Sequence, residues 1–151
     1  MYSKEKYDSV ILVTFKDVVT FEELQQFADD IYAESQQGND IFVIAVTPGD
    51  VSYPSKLADV IKALKLLRQS TNKIQRIYGF ESSSNKLLSF FSNLGSQMLG
   101  LGSKLVNVPD NEALLERLEK DSITFPKLKS ASQHFHTIHD RIIEIKSETT
   151  R

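Results

Sequence analysis

The chain has 151 residues, with 18 basic side chains against 20 acidic ones and a formal charge of −2. That length suits one domain with a real core, and the near-neutral balance speaks against the concentrated basic face that nucleic-acid binding needs. There is no cysteine, which excludes disulfides, thiolate metal sites and thiol nucleophiles together and agrees with a reducing compartment.

The opening residues Met1-Tyr2-Ser3-Lys4-Glu5-Lys6 lack the apolar stretch of a secretory signal, and no run approaches the ~18 apolar residues of a membrane span. The expected location is the cytoplasm, with no membrane contact.

Val10–Phe15 is a short, β-branched, continuously apolar run, the pattern of a strand buried on both faces. Ser3–Tyr7 before it reads as an edge strand turning at Asp8-Ser9. A helix follows with a clear start: Thr20 caps it, Glu23 completes a capping box, and Val19 with Leu24 forms a hydrophobic staple. Leu24, Phe27, Ala28 and Ile31 recur at helical spacing until Gly38 ends the element. Its exposed side chains Glu22, Glu23, Asp29, Asp30 and Glu34 are all acidic.

Ile41–Val46 is a second buried strand, broken by Pro48-Gly49. The spacing predicts a helix from about Ser55 to Thr71, with Leu57, Val60, Ile61, Leu64 and Leu67 or Arg68 on its buried stripe. Lys56, Lys62, Lys65 and Arg68 against Asp59 make this helix basic where the first is acidic. Ile74–Phe80 is a third strand, and Glu81–Asn85 a polar turn. Leu87, Leu88, Phe90, Phe91, Leu94 and Met98 mark a very apolar helix closed by Gly100 and Gly102. Lys104–Val108 is a fourth strand, and Asp110 caps a helix through Leu114, Leu115 and Leu118. Strands alternating with helices imply crossover units and a largely parallel sheet.

The segment Ile77-Tyr78-Gly79-Phe80-Glu81-Ser82-Ser83-Ser84-Asn85-Lys86-Leu87-Leu88-Ser89-Phe90-Phe91 carries a resemblance, which continues through Leu94–Leu99 and Lys104–Leu118. With the preceding element order, it resembles the STAS-like proteins, named for sulphate transporters and anti-sigma-factor antagonists, and more narrowly a bacterial branch of small stand-alone proteins. The resemblance covers residues 1–120. It implies an α/β domain of four main, mostly parallel strands with an N-terminal edge strand and leaves the tail unaccounted for; the residue pattern there reads as a linker over 121–127 and an added amphipathic helix over 128–147. The resemblance also implies a regulatory module, not an enzyme, that binds another protein, often a kinase-like anti-sigma factor, and is switched by phosphorylation. The family's acceptor lies in an Asp-Ser-Ser/Thr-Gly sequence at a helix start. The matching stretch here is Asp50-Val51-Ser52-Tyr53-Pro54-Ser55-Lys56-Leu57, which lacks that motif but offers Ser55, then Ser52, as candidate acceptors.

Each candidate has a plainer reading. A helix N-terminus accommodates a phosphate through its free N–H groups and dipole, but Ser55 or Ser52 also serves as an ordinary cap. Ser82, Ser83, Ser84 and Asn85 lie where a strand's carboxyl end meets a helix start, where α/β proteins bind anions and ligands. With no glycine there and Lys86 as the nearby cation, capping and turn chemistry explain them as well. His134, His136 and His139 fall within six residues. His136, His139 and Asp140 share a helix face, yet a solvated polar face accounts for them without a metal.

No cofactor is expected. The body has neither Cys nor His for a nucleophile-base pair. No G-x-G-x-x-G follows the first strand, and Lys16-Asp17 replaces the acidic pair of a receiver domain. The alternative to an interaction module is a ligand-binding or catalytic α/β domain using the strand-end loops at Asp50 and Glu81–Asn85.

Beyond Lys120 the pattern changes. Leu128, Ala131, Phe135, Ile138, Ile142 and Ile145 alternate by three and four residues, the spacing of a coiled-coil seam. An isolated helix of this length is marginal in water, so the stripe must be covered. A homodimer through this helix is the economical expectation, narrowly ahead of docking onto the chain's own domain.

Overall fold

The computed structural model describes residues 1–48, 57–80, 104–126, 128 and 133–148. Five strands make one sheet in the order β1 (Tyr2–Tyr7), β2 (Val10–Phe15), β3 (Ile41–Val46), β4 (Ile74–Phe80), β5 (Leu105–Val108). β1 pairs antiparallel with β2, and every later pairing is parallel. The N-terminal edge strand is therefore a full member of the sheet, paired over its whole length. Asp8 sits in the left-handed region (φ 52) in the Asp8-Ser9 turn, as a two-residue hairpin requires.

Helix α1 (Phe21–Gln36) begins as its sequence specifies. The Thr20 hydroxyl accepts from Glu23 N–H at 3.2 Å, and the Glu23 carboxylate accepts from Thr20 N–H at 3.3 Å. Val19 and Leu24 are both buried, and Gly38 follows the helix with φ +79. Helix α2 (Leu57–Leu67) continues into a short 3₁₀ turn at Arg68–Ser70. Of its expected stripe, Leu67 is buried, Ile61 half-buried and Arg68 exposed, while the side chains of Leu57, Val60 and Leu64 lie outside the described ones. The apolar helix expected over 87–98 also lies outside the described residues.

The β2–β3 and β3–β4 crossovers each advance one strand in the same direction, so connections of the usual hand place α1 and α2 on one face. That face holds the first core layer: Ile11, Val13 and Phe15 of β2 and Ile41 and Val43 of β3, against Leu24, Phe27 and Ile31 of α1 and Leu67 of α2. Tyr2, Phe15 and Phe27 form a ring cluster with centroids 5.3–6.3 Å apart, tying β1 to α1.

The alternate residues of the same strands need a second cover, because β2 is buried along its whole length. Two C-terminal helices supply it. Helix α3 (Asn111–Thr124), capped by Asp110, places Leu114 and Leu118 over Tyr78, Phe80 and Val108. It runs on through Asp121–Thr124, residues the sequence pattern assigns to a linker. Asp121 is buried because Tyr78 Oη donates to it at 2.7 Å and Arg117 Nε at 3.2 Å.

Helix α4 (Phe135–Ser147) completes the layer. Phe135, Ile138, Ile142 and Ile145, with Leu128, are buried in the cluster holding Val10, Leu12, Phe42 and Ile44. Burying each such side chain is worth about 1.5–3 kcal/mol. Polar contacts fix its direction along β2: His134 Nε2 lies 2.9 Å from Asp8 Oδ2, Arg141 Nε donates to both oxygens of Glu5 at 2.9 Å, and Glu148 pairs with Lys16. Of the two covers expected for the seam-like stripe, its described residues take the second: they pack on the chain's own sheet.

Candidate functional site

In parallel α/β sheets ligands gather at the carboxyl ends of the strands. Here β3 ends at Val46 and α2 begins at Leu57, so the stretch containing Asp50, Ser52 and Ser55 joins the carboxyl end of β3 to the start of α2. Glu81 follows β4 directly. Asp50, Ser52, Ser55, Glu81, Ser82, Ser83, Ser84 and Asn85 themselves lie outside the described residues.

At the carboxyl ends of the described strands the structure assembles groups that the sequence did not connect. Asp17, in the left-handed region (φ 60), turns the chain out of β2 so that Val18 is exposed while Val19 enters the core. The last turn of α4 arrives at the same end. Lys146 Nζ lies 3.5 Å from the centre of the Phe80 ring. Burial pushes the Lys146 ammonium pKa down, and Asp110 partly restores it. Glu148 holds Lys16. The signal in the sequence was indirect: a stripe ending at Ile145 fixes the phase of Lys146 and Glu148, but not which loops they meet.

The outer face of α1 and α2 is the second feature. One flank of α1 is neutralised by β1: Glu23 pairs with the N-terminal ammonium at 3.0 Å, Asp30 with Lys4 at 3.8 Å, and Glu34 with Lys6 at 2.8 Å. Glu22 and Asp29 are exposed instead. Across the α1/α2 contact, Lys62 and Lys65 are exposed on α2 and Arg68 on the 3₁₀ turn that continues it. None of these five side chains enters an ion pair among the described residues. The face therefore presents an acidic strip beside a basic one, directly downstream of the Ser52–Ser55 stretch.

At the opposite, amino end of the sheet an open cleft of about 500 Å³ is floored by Ile11 and Ile41 and rimmed by Lys6, Asp8, Glu34 and Asp40. Its carboxylates have partners: Lys6 for Glu34, His134 for Asp8, and Gln75 Nε2 at 3.4 Å for Asp40. His134 thus serves as a tether, His139 lies 3.7 Å from Asp140, and His136 is exposed. No group of three or more His, Asp and Glu side chains among the described residues is placed to hold a metal ion.

These features define an α/β domain with a five-stranded, mostly parallel sheet covered on both faces. No described helix is long and apolar enough to cross a membrane. Comparison with protein-family models, curated proteins and solved structures finds no match to this chain.

Proposed function

We propose that the chain is a non-enzymatic, STAS-like regulatory module that works by binding another protein through the outer face of α1 and α2. The observation that carries this reading is the set of exposed charges on that face, Glu22 and Asp29 beside Lys62, Lys65 and Arg68, which no ion pair among the described residues consumes. Charges left in this state cost little in water and are available to steer a complementary surface. The element order supports the family reading, with an antiparallel edge strand followed by sequential parallel strands and crossover helices.

Phosphorylation fits the same surface. Ser55 lies two residues before the first residue of α2, and Ser52 five before it. A phosphate added there brings about −2 of charge to the stretch that leads in sequence into α2, whose first turn is the positive end of the helix dipole. Because Lys62 and Lys65 lie further along α2 and Arg68 in the turn that continues it, the modification would convert a basic approach into a mixed one and so alter partner choice. A kinase-like anti-sigma factor is the partner class that the family resemblance suggests.

The test is affinity capture from native lysate by the parent chain and by the Lys62→Glu/Lys65→Glu variant, with native mass spectrometry of the purified chain alongside. A protein retained by the parent and released by the folded variant is the expected result. A small molecule co-purifying with the chain, together with capture indifferent to the substitutions, would instead favour a ligand-binding domain using the strand-end loops.

A further inference from the structure

At the amino ends of β4 and β5 two cations stand side by side. Ile77 is in register with Leu105, and Ile77 N–H donates to Lys104 C=O at 2.8 Å. Arg76 and Lys104, one position earlier on each strand, are thus cross-strand neighbours on the face that carries Tyr78. Like charges in that relation destabilise a sheet. Both side chains are half-buried, so water screens the repulsion incompletely.

A third cation reaches the same place from α3, where Arg117 Nε donates to Asp121 Oδ2 at 3.2 Å. Asp121 is already heavily used. The same oxygen accepts from Tyr78 Oη at 2.7 Å and lies 3.6 Å from Arg76 Nε, too far for a hydrogen bond. Arg76 Nε is buried and has no hydrogen-bond partner among the described residues, while its guanidinium lies over the Phe125 ring at 4.8 Å. Lys104 Nζ donates to Thr71 C=O at 2.8 Å, and no carboxylate among the described residues pairs with it. Burial, followed by the Arg76 charge, pushes the Lys104 ammonium pKa down. Among the described residues Arg76 thus stands beside both Lys104 and the Arg117–Asp121 pair, three positive side chains with one carboxylate.

A purely structural Arg-Asp-Arg arrangement has no use for Lys104. It adds repulsion and answers it with a neutral carbonyl. We propose that the amino ends of β4 and β5 form an oxyanion site, in which Arg76, Lys104 and Arg117 bind a phosphate-class anion, free in solution or carried on a partner's side chain. Planar guanidinium forks suit oxyanion geometry, and a lysine supplies the point charge. The Arg117 side chain is 35% exposed, so the site opens along α3. It lies at the amino ends of the strands, opposite the carboxyl end of β3, and does not depend on the function proposed above.

The test uses the full chain and its Lys104→Gln variant, since loss of Arg76 would also strip Asp121 of a partner. Thermal melts with inorganic phosphate are compared with chloride at matched ionic strength. Ten times the dissociation constant of phosphate should raise the parent Tm by about 4 °C. Backbone amide shifts should move at Arg76, Lys104 and Arg117. Lys104→Gln should melt at least as high as the parent without phosphate and lose the phosphate response. A phosphoserine peptide that binds more tightly than inorganic phosphate assigns the anion to a partner's side chain, and one that binds no tighter assigns it to a free anion. An equal rise in both proteins reflects general salt exclusion and overturns the site. Absence of a phosphate response in the parent overturns it too, as does a variant that melts well below the parent while keeping the response.

Discussion

Ile142 and Ile143 are adjacent on α4, yet none of Ile142 is exposed and 49% of Ile143 is. The pair therefore carries its own control. Ile142→Ala removes three carbons from a packed site between α4 and the sheet, among Val10, Leu12, Phe42 and Ile44. Such truncations cost about 2–5 kcal/mol, a large part of the total of about 5–15 kcal/mol that holds a domain folded. At about 2–4 °C per kcal/mol for a chain of this size, a central value of about 3 kcal/mol lowers Tm by roughly 6–12 °C. Ile143→Ala makes the same chemical change towards solvent and should stay within about 0.5 kcal/mol of the parent. Urea unfolding followed by circular dichroism measures both. The midpoint should not change with protein concentration, because the stripe faces the chain's own sheet; a dimer seam would make it rise. Ile142→Ala within about 0.5 kcal/mol of the parent, or a concentration-dependent midpoint, would refute the docking of α4.

Asp121→Asn keeps the shape of a buried group but leaves Arg76 and Arg117 without their carboxylate; it should cost about 3–5 kcal/mol in urea unfolding, far more than Arg117→Gln. The phenols of Tyr78 and Tyr2 are held well above the ordinary tyrosine range, first by burial and then by their hydrogen bonds to Asp121 and Asp30. Their contribution is therefore complete below the unfolded value of about 10 and is lost as pH rises beyond it, because the unfolded chain releases protons that the folded one keeps. Stability should fall above about pH 10 by up to 1.4 kcal/mol per pH unit for Tyr78, and by less for the more exposed Tyr2. Tyr78→Phe should remove the larger share of that alkaline slope, and phenolate absorbance should show both groups ionising only on unfolding.

Local signals were the readable ones. The Thr20–Glu23 box, the Val19–Leu24 staple and Gly38 each act within a few residues, so α1 was legible from end to end. The apolar runs Val10–Phe15 and Ile41–Val46 announced strands buried on both faces. What could not be read was the destination of a pattern. Three-and-four spacing in the tail says that Ile138, Ile142 and Ile145 must be covered, but not by what, and the covering residues on β2 and β3 lie about a hundred positions away. Asp121 looked like the start of a polar linker because its partners, Tyr78 and Arg76, are more than forty residues upstream. The pairing of Arg76 with Lys104 likewise depends on sheet register, which composition does not encode. The exposed charges of α1 and α2 were visible as a contrast between two helices. Only the fold shows that β1 neutralises one acidic flank and leaves Glu22 and Asp29 unpaired among the described residues.

The most direct measurement of the account is the association rate between the chain and the protein it captures, by stopped flow at low and near-physiological salt. Steering by a charged face raises such rates at least about tenfold and is screened as the Debye length shrinks to about 8 Å. Lys62→Glu/Lys65→Glu should therefore slow association at low salt by about tenfold or more, with the difference narrowing as salt is added and the dissociation rate little changed. An association rate that stays the same in the variant at low salt would contradict recognition through the outer face of α1 and α2.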